Sequence, residues 1–208
     1  MPHPLSSAAP VVAPLLLGAV LTCDGPGAAV TIRVVETEAY GGADDPASHA
    51  YRGRTARNAS MFGAGGTAYV YFTYGMHYCL NVVVGPPGEA SAVLLRAAEV
   101  TDGIAAARAR RTRPSGRVPT DRDLARGPAR LTQALGVTTA DDGRDLLDEH
   151  GPLRLTLAPT PVARYRCGPR VGISRAADRP WRFWLPDDPA VSAYRGGGQA
   201  RRGRRAQV

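Results

Sequence analysis

Lysine is missing from this chain: all 26 of its basic residues are arginine. That absence excludes a lysine Schiff base and any phosphate loop ending in Gly-Lys-Ser/Thr. The choice of arginine fits the Ala/Gly/Pro/Arg-rich composition that a GC-rich genome writes. Cysteine is scarce as well. Cys23, Cys79 and Cys167 are odd in number and form no C-x-x-C pair, which fits a reducing compartment. Long apolar runs are absent too. The stretch 11–20 is about half a membrane span, is interrupted by Pro14 and has no basic segment before it. The expectation is a cytoplasmic protein with no membrane segment and no signal peptide.

What is present suits one domain: 208 residues, 44% hydrophobic and 21% charged. The net charge of +8 is unevenly spread. Residues 1–103 hold 5 Arg against 8 acids, whereas residues 104–208 hold 21 Arg against 10 acids. A codon bias explains arginine over lysine but not this excess. It points to a polyanion, nucleic acid first and an acidic membrane second.

Residues 1–14 read as a short ragged lead, and 15–21 as a helix end or a buried strand. Asp24-Gly25-Pro26-Gly27 is a turn. The β-branched run 28–40 (AAVTIRVVETEAY) predicts a strand. Residues 41–66 contain six glycines and no sustained period, and a loop of that length is usually functional. The segment 68–74 (AYVYFTY) predicts a strand paired with 78–84 across Gly75-Met76-His77. Residues 91–97 add a third strand, giving an antiparallel meander. Helices are expected at 104–111 and 123–135, the second broken at Gly127-Pro128. Further strands are expected at 154–158, 170–174 and 181–185. The tail 195–208 carries five arginines and no acid and is expected to be disordered.

Strand alternation places Glu36, Glu38 and Tyr40 on one face, with Val35, Thr37 and Ala39 on the other. Paired carboxylates beside an aromatic suit water activation and cation stabilisation. Two solvated glutamates on an edge strand are the plainer account of that segment alone. The stretch 69–78 is harder to dismiss, because four tyrosines, Phe72 and Met76 crowd into ten residues of a chain that is only 6% aromatic. A core explains Tyr69, Val70 and Phe72; it explains Tyr74-Gly75-Met76 poorly, because that trio falls where the hairpin meets solvent. Exposed side chains there suit a wedge between stacked bases, and neighbouring tyrosines a stacking platform. His49, in the long loop, is an ordinary surface histidine or a hydrogen-bond donor to a bound base. His77-x-Cys79 has no second ligand pair, so no metal site is expected. The GAGG run at 63–66 matches no phosphate loop.

The runs VVETEAYGGADDPASHAYRGRT, RNASMFG, AYVYFTYGMHYCLNVV, VLLRA, GPARLTQALG and RVGI resemble the alkyladenine (3-methyladenine) DNA glycosylase family, in order across roughly residues 15–192. The resemblance implies an α+β fold, a single mixed domain with a curved, open, barrel-like antiparallel sheet and surrounding helices. It implies a glycosylase domain over 15–194 between the lead and the basic tail. By the same resemblance, Glu38 positions and deprotonates the attacking water, and Arg96 lies beside that water and the flipped nucleotide's backbone. Tyr40 and Tyr71 sandwich the extruded base, His49 hydrogen-bonds to it, and Asn81 crowds the exocyclic amino group of guanine. Tyr74 and Met76 form the wedge that fills the gap in the duplex. Glu36 reads as structural. Ala56 and Gly65 stand where many relatives have proline, which touches none of these positions.

The implied function is excision of alkylated purines, with deaminated purines as a further candidate, from double-stranded DNA by a nucleoid-associated monomer that needs no cofactor. Extruding the base costs about a few kcal/mol, least for damaged pairs. A cationic alkylated purine stacks well between tyrosine faces and leaves readily. Without lysine there is no side-chain amine to form an imine with the sugar, so a monofunctional hydrolase leaving an intact abasic site is expected. The competing reading is a non-catalytic nucleic-acid-binding module on the same scaffold.

Overall fold

In the computed structural model, residues 3–112, 115–116 and 118–197 are described. The backbone of the fold is β2 (Val30–Tyr40), the strand expected from the β-branched run. Its first half pairs with β1 (Val20–Cys23), and its whole length with β5 (Ala92–Asp102), which runs well past the expected end at 97. Beyond β5 lie β4 (His77–Val83) and then β3 (Ala68–Thr73), joined as the expected hairpin. β6 (Leu153–Thr156) extends the sheet beyond β1. The order β3-β4-β5-β2-β1-β6 is antiparallel throughout, and β8 (Arg182–Trp184) pairs with the second half of β2 and with β7 (Arg166–Gly168). The sheet is an open, curled half-barrel in a single α+β domain with few helices, in agreement with the expected architecture.

Of three register shifts between β2 and β5, the two nearest the middle control which way the strands face. Val34 pairs with Ala98 and Glu36 with Ala97, so Val35 is an extra residue on β2; Thr37 then pairs with Leu95, so Arg96 is the extra residue on β5. Each insertion shifts the alternation by one and turns the following side chains over. Val30, Ile32 and Val34 lie in the main core before the bulge, and Ala39 lies there after it. Thr37, on that same face, donates from Oγ1 to the Ala13 carbonyl at 2.9 Å. Without the inserted residue, the glutamates would continue the even-numbered phase and point into the core.

The core face is filled by Leu80, Val82, Val93 and Leu95 and covered by α3 (Pro128–Leu135), which contributes Leu131, Ala134 and Leu135. Each leucine so buried contributes about 1.5–3 kcal/mol. α3 opens on a proline, whose missing N–H costs nothing there, and the expected break at Gly127-Pro128 is its start; only a short 3-10 turn, Asp121–Asp123, precedes it. α2 (Ile104–Arg111) lies where expected. Gly103 opens it at φ +71, and a Cβ there would run into the Ala29 carbonyl oxygen.

Some segments differ from expectation. The lead is ordered: a 3-10 turn at Pro4–Ser6, α1 (Ala9–Val12) and a further 3-10 turn at Ala13–Leu16 bury Leu5, Ala9, Val12 and Leu16. No strand forms at 170–174; β7 lies just before it, and Arg170 pairs with buried Asp45. The tail beyond 197 lies outside the described residues. No helix among the described residues is long and apolar enough to cross a membrane.

Candidate active site

On the face opposite the core, β2, β3, β4 and β5 surround a cavity of about 380 Å³, the size of a small-molecule site. The inverted halves of β2 and β5 bring Glu38, Tyr40, Leu94 and Arg96 to it, while β3 and β4 add Tyr69, Tyr71, Cys79 and Asn81. The far wall is loop residue His49 and the segment 171–173. Thus Glu38, Tyr40, His49, Tyr71, Asn81 and Arg96, named from the sequence, meet around one space. Tyr74 reaches its rim; Met76 does not line it and borders a neighbouring groove instead.

Glu38 is fully buried. Its Oε2 accepts from the Tyr40 hydroxyl at 2.9 Å, its Oε1 from the Val171 amide at 2.7 Å, and Arg96 Nε stands 3.6 Å from Oε1. Burial pushes its proton affinity above the ordinary glutamate range, outweighing Arg96, the Val171 amide and the Tyr40 hydroxyl, which pull it down. A carboxylate so placed is a stronger base than one in water, and it remains anchored through both oxygens.

The aromatic walls are fixed from behind. Arg170 packs over the Tyr40 ring at 4.7 Å and the Trp181 ring at 5.2 Å, with a bidentate bond to Asp45 at 2.6 and 2.8 Å. Tyr71 stands edge-on to His49 with centroids 4.5 Å apart. His49 Nδ1 is 2.8 Å from the Tyr69 hydroxyl, and burial, aided by Arg57, depresses its proton affinity. His49 is therefore neutral near pH 7, with its second ring nitrogen as donor or acceptor according to tautomer. Its loop is tied down by buried Asn58, which donates to the carbonyls of His49 and Gly53, both at 3.0 Å, and accepts from the Thr55 amide at 2.7 Å. Asn81, also buried, donates to the Tyr69 carbonyl at 2.9 Å.

The rim has a different character. Tyr74 is 87% exposed and Met76 68%, at the tip of the β3–β4 hairpin. The turn closes with Met76 N donating to the Thr73 carbonyl at 3.1 Å, and both central residues, Tyr74 (φ +52) and Gly75 (φ +66), are left-handed. Glycine takes that conformation freely, but tyrosine holds it at a cost of about 1–2 kcal/mol. Tyr74 holds this conformation with no burial to offset it.

The chain matches the family model described as Methylpurine-DNA glycosylase (MPG) over residues 4–189. The chain belongs to the methylpurine-DNA glycosylase family. Among its relatives, a Nocardia farcinica protein is 56% identical over 192 residues, covering 89% of this chain and 87% of its own. Relatives from Leifsonia xyli subsp. xyli and Streptomyces avermitilis are both 54% identical, each over 88% of this chain, covering 87% and 86% of their own lengths. All three are named "Putative 3-methyladenine DNA glycosylase". The resemblance read from the sequence is thus a family membership, and a DNA glycosylase role in DNA repair goes with it.

Several residues that shape this glycosylase's cavity are invisible to sequence reasoning. Arg170 and Asp45 are 125 positions apart, and Arg182 and Glu36 are 146 apart. Nothing local pairs them. Val171 contributes only its amide, which any residue type supplies; the RVGI run that contains it was the available signal. Cys79, beneath Tyr71, is buried and its thiol is held protonated, mainly by burial.

Proposed function

We propose that this protein is a monofunctional DNA-3-methyladenine glycosylase that extrudes alkylated purines, and deaminated purines as a further class, from double-stranded DNA and hydrolyses the N-glycosidic bond. The observation that carries this reading is a fully buried carboxylate, Glu38, at the wall of a tyrosine-lined cavity whose rim is the exposed Tyr74 hairpin. Burying a carboxylate costs several kcal/mol even when it is paired. A mere binder of a polyanion gains nothing from that cost, and this disfavours the non-catalytic module.

In the proposed reaction the purine enters between Tyr40 and Tyr71, where a cationic alkylated ring is favoured over a neutral one by about 0.5–2 kcal/mol. His49 hydrogen-bonds to it from the edge, and Asn81 crowds an exocyclic amino group at the guanine 2-position. As the bond to C1′ breaks, the sugar becomes oxocarbenium-like and Glu38 stabilises it. Glu38 then takes a proton from the water that attacks C1′; a cationic alkylated purine departs as the neutral base, a deaminated purine takes up a solvent proton as it departs, and an abasic site remains. Arg96 orients the water and the nucleotide's backbone. Tyr74, with Met76 beside it, occupies the space the base vacates, and the protein acts as a monomer without a cofactor.

Release of labelled base from duplexes carrying 3-methyladenine, 7-methylguanine or hypoxanthine, by wild type and by Glu38→Gln, tests the reading. Product strands should stay intact until alkali or an abasic-site endonuclease is added; strand cutting by the purified protein alone would refute monofunctional hydrolysis. Tyr74→Ala should weaken binding to lesion-containing duplex by about 1–3 kcal/mol, the scale of one base–aromatic stack, while the melting temperature stays near wild type. A Tyr74→Ala protein that loses stability instead would return Tyr74 to the core.

A further inference from the structure

Behind the cavity lies a second buried carboxylate that does not line it. Glu36 has no exposure, and four contacts occupy its oxygens. Oε1 accepts from Arg182 Nε at 2.5 Å and the Ser192 hydroxyl at 3.1 Å and lies 3.1 Å from Arg96 Nε as an ion pair; Oε2 accepts from the Ser192 amide at 2.8 Å. Ser192 also links back to Arg96, accepting from its Nε at 3.2 Å, and its carbonyl accepts from Arg182 at 3.1 Å. Two carboxylates and two guanidiniums thus form a neutral, nearly dry quartet. Its members come from β2, β5 and β8, and the C-terminal segment ties them together.

The quartet is lopsided. Arg96 Nε stands 3.1 Å from Glu36 but 3.6 Å from Glu38. Glu36 carries two charged partners and both Ser192 donors, whereas Glu38 accepts only from Tyr40 and Val171 and keeps capacity for a water.

We infer that Glu36, clamped by Arg182 and Ser192, is a positioning residue that holds Arg96 partly away from Glu38 and so keeps Glu38 basic enough to activate water. This rests on the proposed role of Glu38. The groups around Glu38 are Glu36 and Tyr40 on its own strand, Arg96 on β5, Cys79 on β4 and Tyr71 on β3, while Arg182 on β8 pairs with Glu36 and His49 lines the same cavity. Glu36 and Glu38 share the Arg96 guanidinium, and Glu36 also holds Arg182. Removing the Glu36 charge releases Arg96, and leaves Arg182 uncompensated, so Glu38 is left facing surplus positive charge. Removing the Arg182 charge lets Glu36 draw Arg96 fully, and Glu38 is left underpaired.

The test is the acid limb of the pH profile for single-turnover base release at saturating enzyme, on duplex DNA containing hypoxanthine or a methylated purine. Glu36→Gln should move the limb to lower pH and Arg182→Gln to higher pH, each by about one unit, the lower end of what a charge at 4–6 Å does. Arg182→Lys should restore the wild-type position. A purely structural role predicts lost stability in both variants with no opposed displacement. Limbs that coincide, or that move the same way in folded protein, overturn the inference. Ser192→Ala keeps all four charges and the backbone bond, so it decides the matter if either charge variant fails to fold. It removes the hydroxyl's two bonds, to Glu36 and from Arg96, so its plateau rate should fall at least about tenfold, the worth of one hydrogen bond to a charged group, with substrate affinity unchanged; a wild-type plateau overturns the inference. Glu38→Gln is run alongside. Undiminished excision by that variant would sink the proposed active site itself, whereas its inactivity together with unmoved limbs would sink only the role of Glu36.

Discussion

Replacing Glu38 by glutamine should lower the single-turnover rate of base release by about 10²–10⁴-fold, the range a general base contributes, and leave affinity for lesion-containing duplex nearly intact. The substitution keeps size and shape in a site where Glu38 has no exposure. The glutamine oxygen still accepts from either Tyr40 or Val171, and only the second of those bonds is lost. Losing a buried charge also relieves the desolvation that raises the Glu38 proton affinity, so the two effects on stability oppose each other. Wild-type excision should therefore fall off on the acid side at a pH above the ordinary glutamate range of about 4.3, because the base must be deprotonated to act. The Glu38→Gln protein should show no such limb. A binding assay beside the kinetic one separates chemistry from recognition. Equal rates for the two proteins would remove Glu38 from the mechanism.

Arg170→Met should destabilise the fold by about 3–5 kcal/mol, the cost of leaving a buried charge without its partner. That is a large part of the roughly 5–15 kcal/mol that holds a domain together. Arg170 and Asp45 are both wholly buried, and Arg170 also donates to the Ala39 carbonyl at 2.9 Å. Desolvation works to raise the Asp45 proton affinity, but the bonds from Arg170, Gly41 and Ala47 outweigh it and hold it below the usual carboxylate range. A lowered folded-state value contributes stability above the unfolded pKa of about 3.9, and that contribution is lost as pH falls through the folded value. Wild type should thus lose stability below about pH 4, and the gap to Arg170→Met should narrow there. Denaturant titrations at pH 7 and pH 3 measure both effects, and Asp45→Asn with Arg170→Met should recover part of the loss. A single-variant change under about 1 kcal/mol at pH 7 would refute the account. Because Arg170 backs the Tyr40 ring, base release should also weaken in the fraction that stays folded.

Much of this protein is legible before any coordinates. The β2 strand, the β3–β4 hairpin and α2 follow from local pattern, since alternation and turn residues act over a few positions. The resemblance named Glu38, Tyr40, His49, Tyr71, Asn81 and Arg96, and the fold gathers them around one cavity. The lead was less legible. Residues 4–16 are small, apolar and proline-punctuated, and only packing against the sheet makes them core. The segment 170–174, expected as a strand, forms no ladder and instead places Arg170 against Asp45, 125 positions away.

By itself, the sequence determined that no lysine imine chemistry is available, that aromatics concentrate at one hairpin, and that Glu36, Glu38 and Tyr40 share a side of their strand. It left open which side. Val30, Ile32 and Val34 carry the same parity as the glutamates, and unbroken alternation would bury two carboxylates in the leucine-rich core. The tertiary structure decided otherwise with one extra residue on each of two paired strands, Val35 and Arg96. A bulge exists only between strands, so the pattern of neither strand records it. The ion pairs that make the burial tolerable, Glu36 with Arg182 and Asp45 with Arg170, likewise join residues more than a hundred positions apart. Local pattern sets what a strand can present; pairing register sets where it presents it.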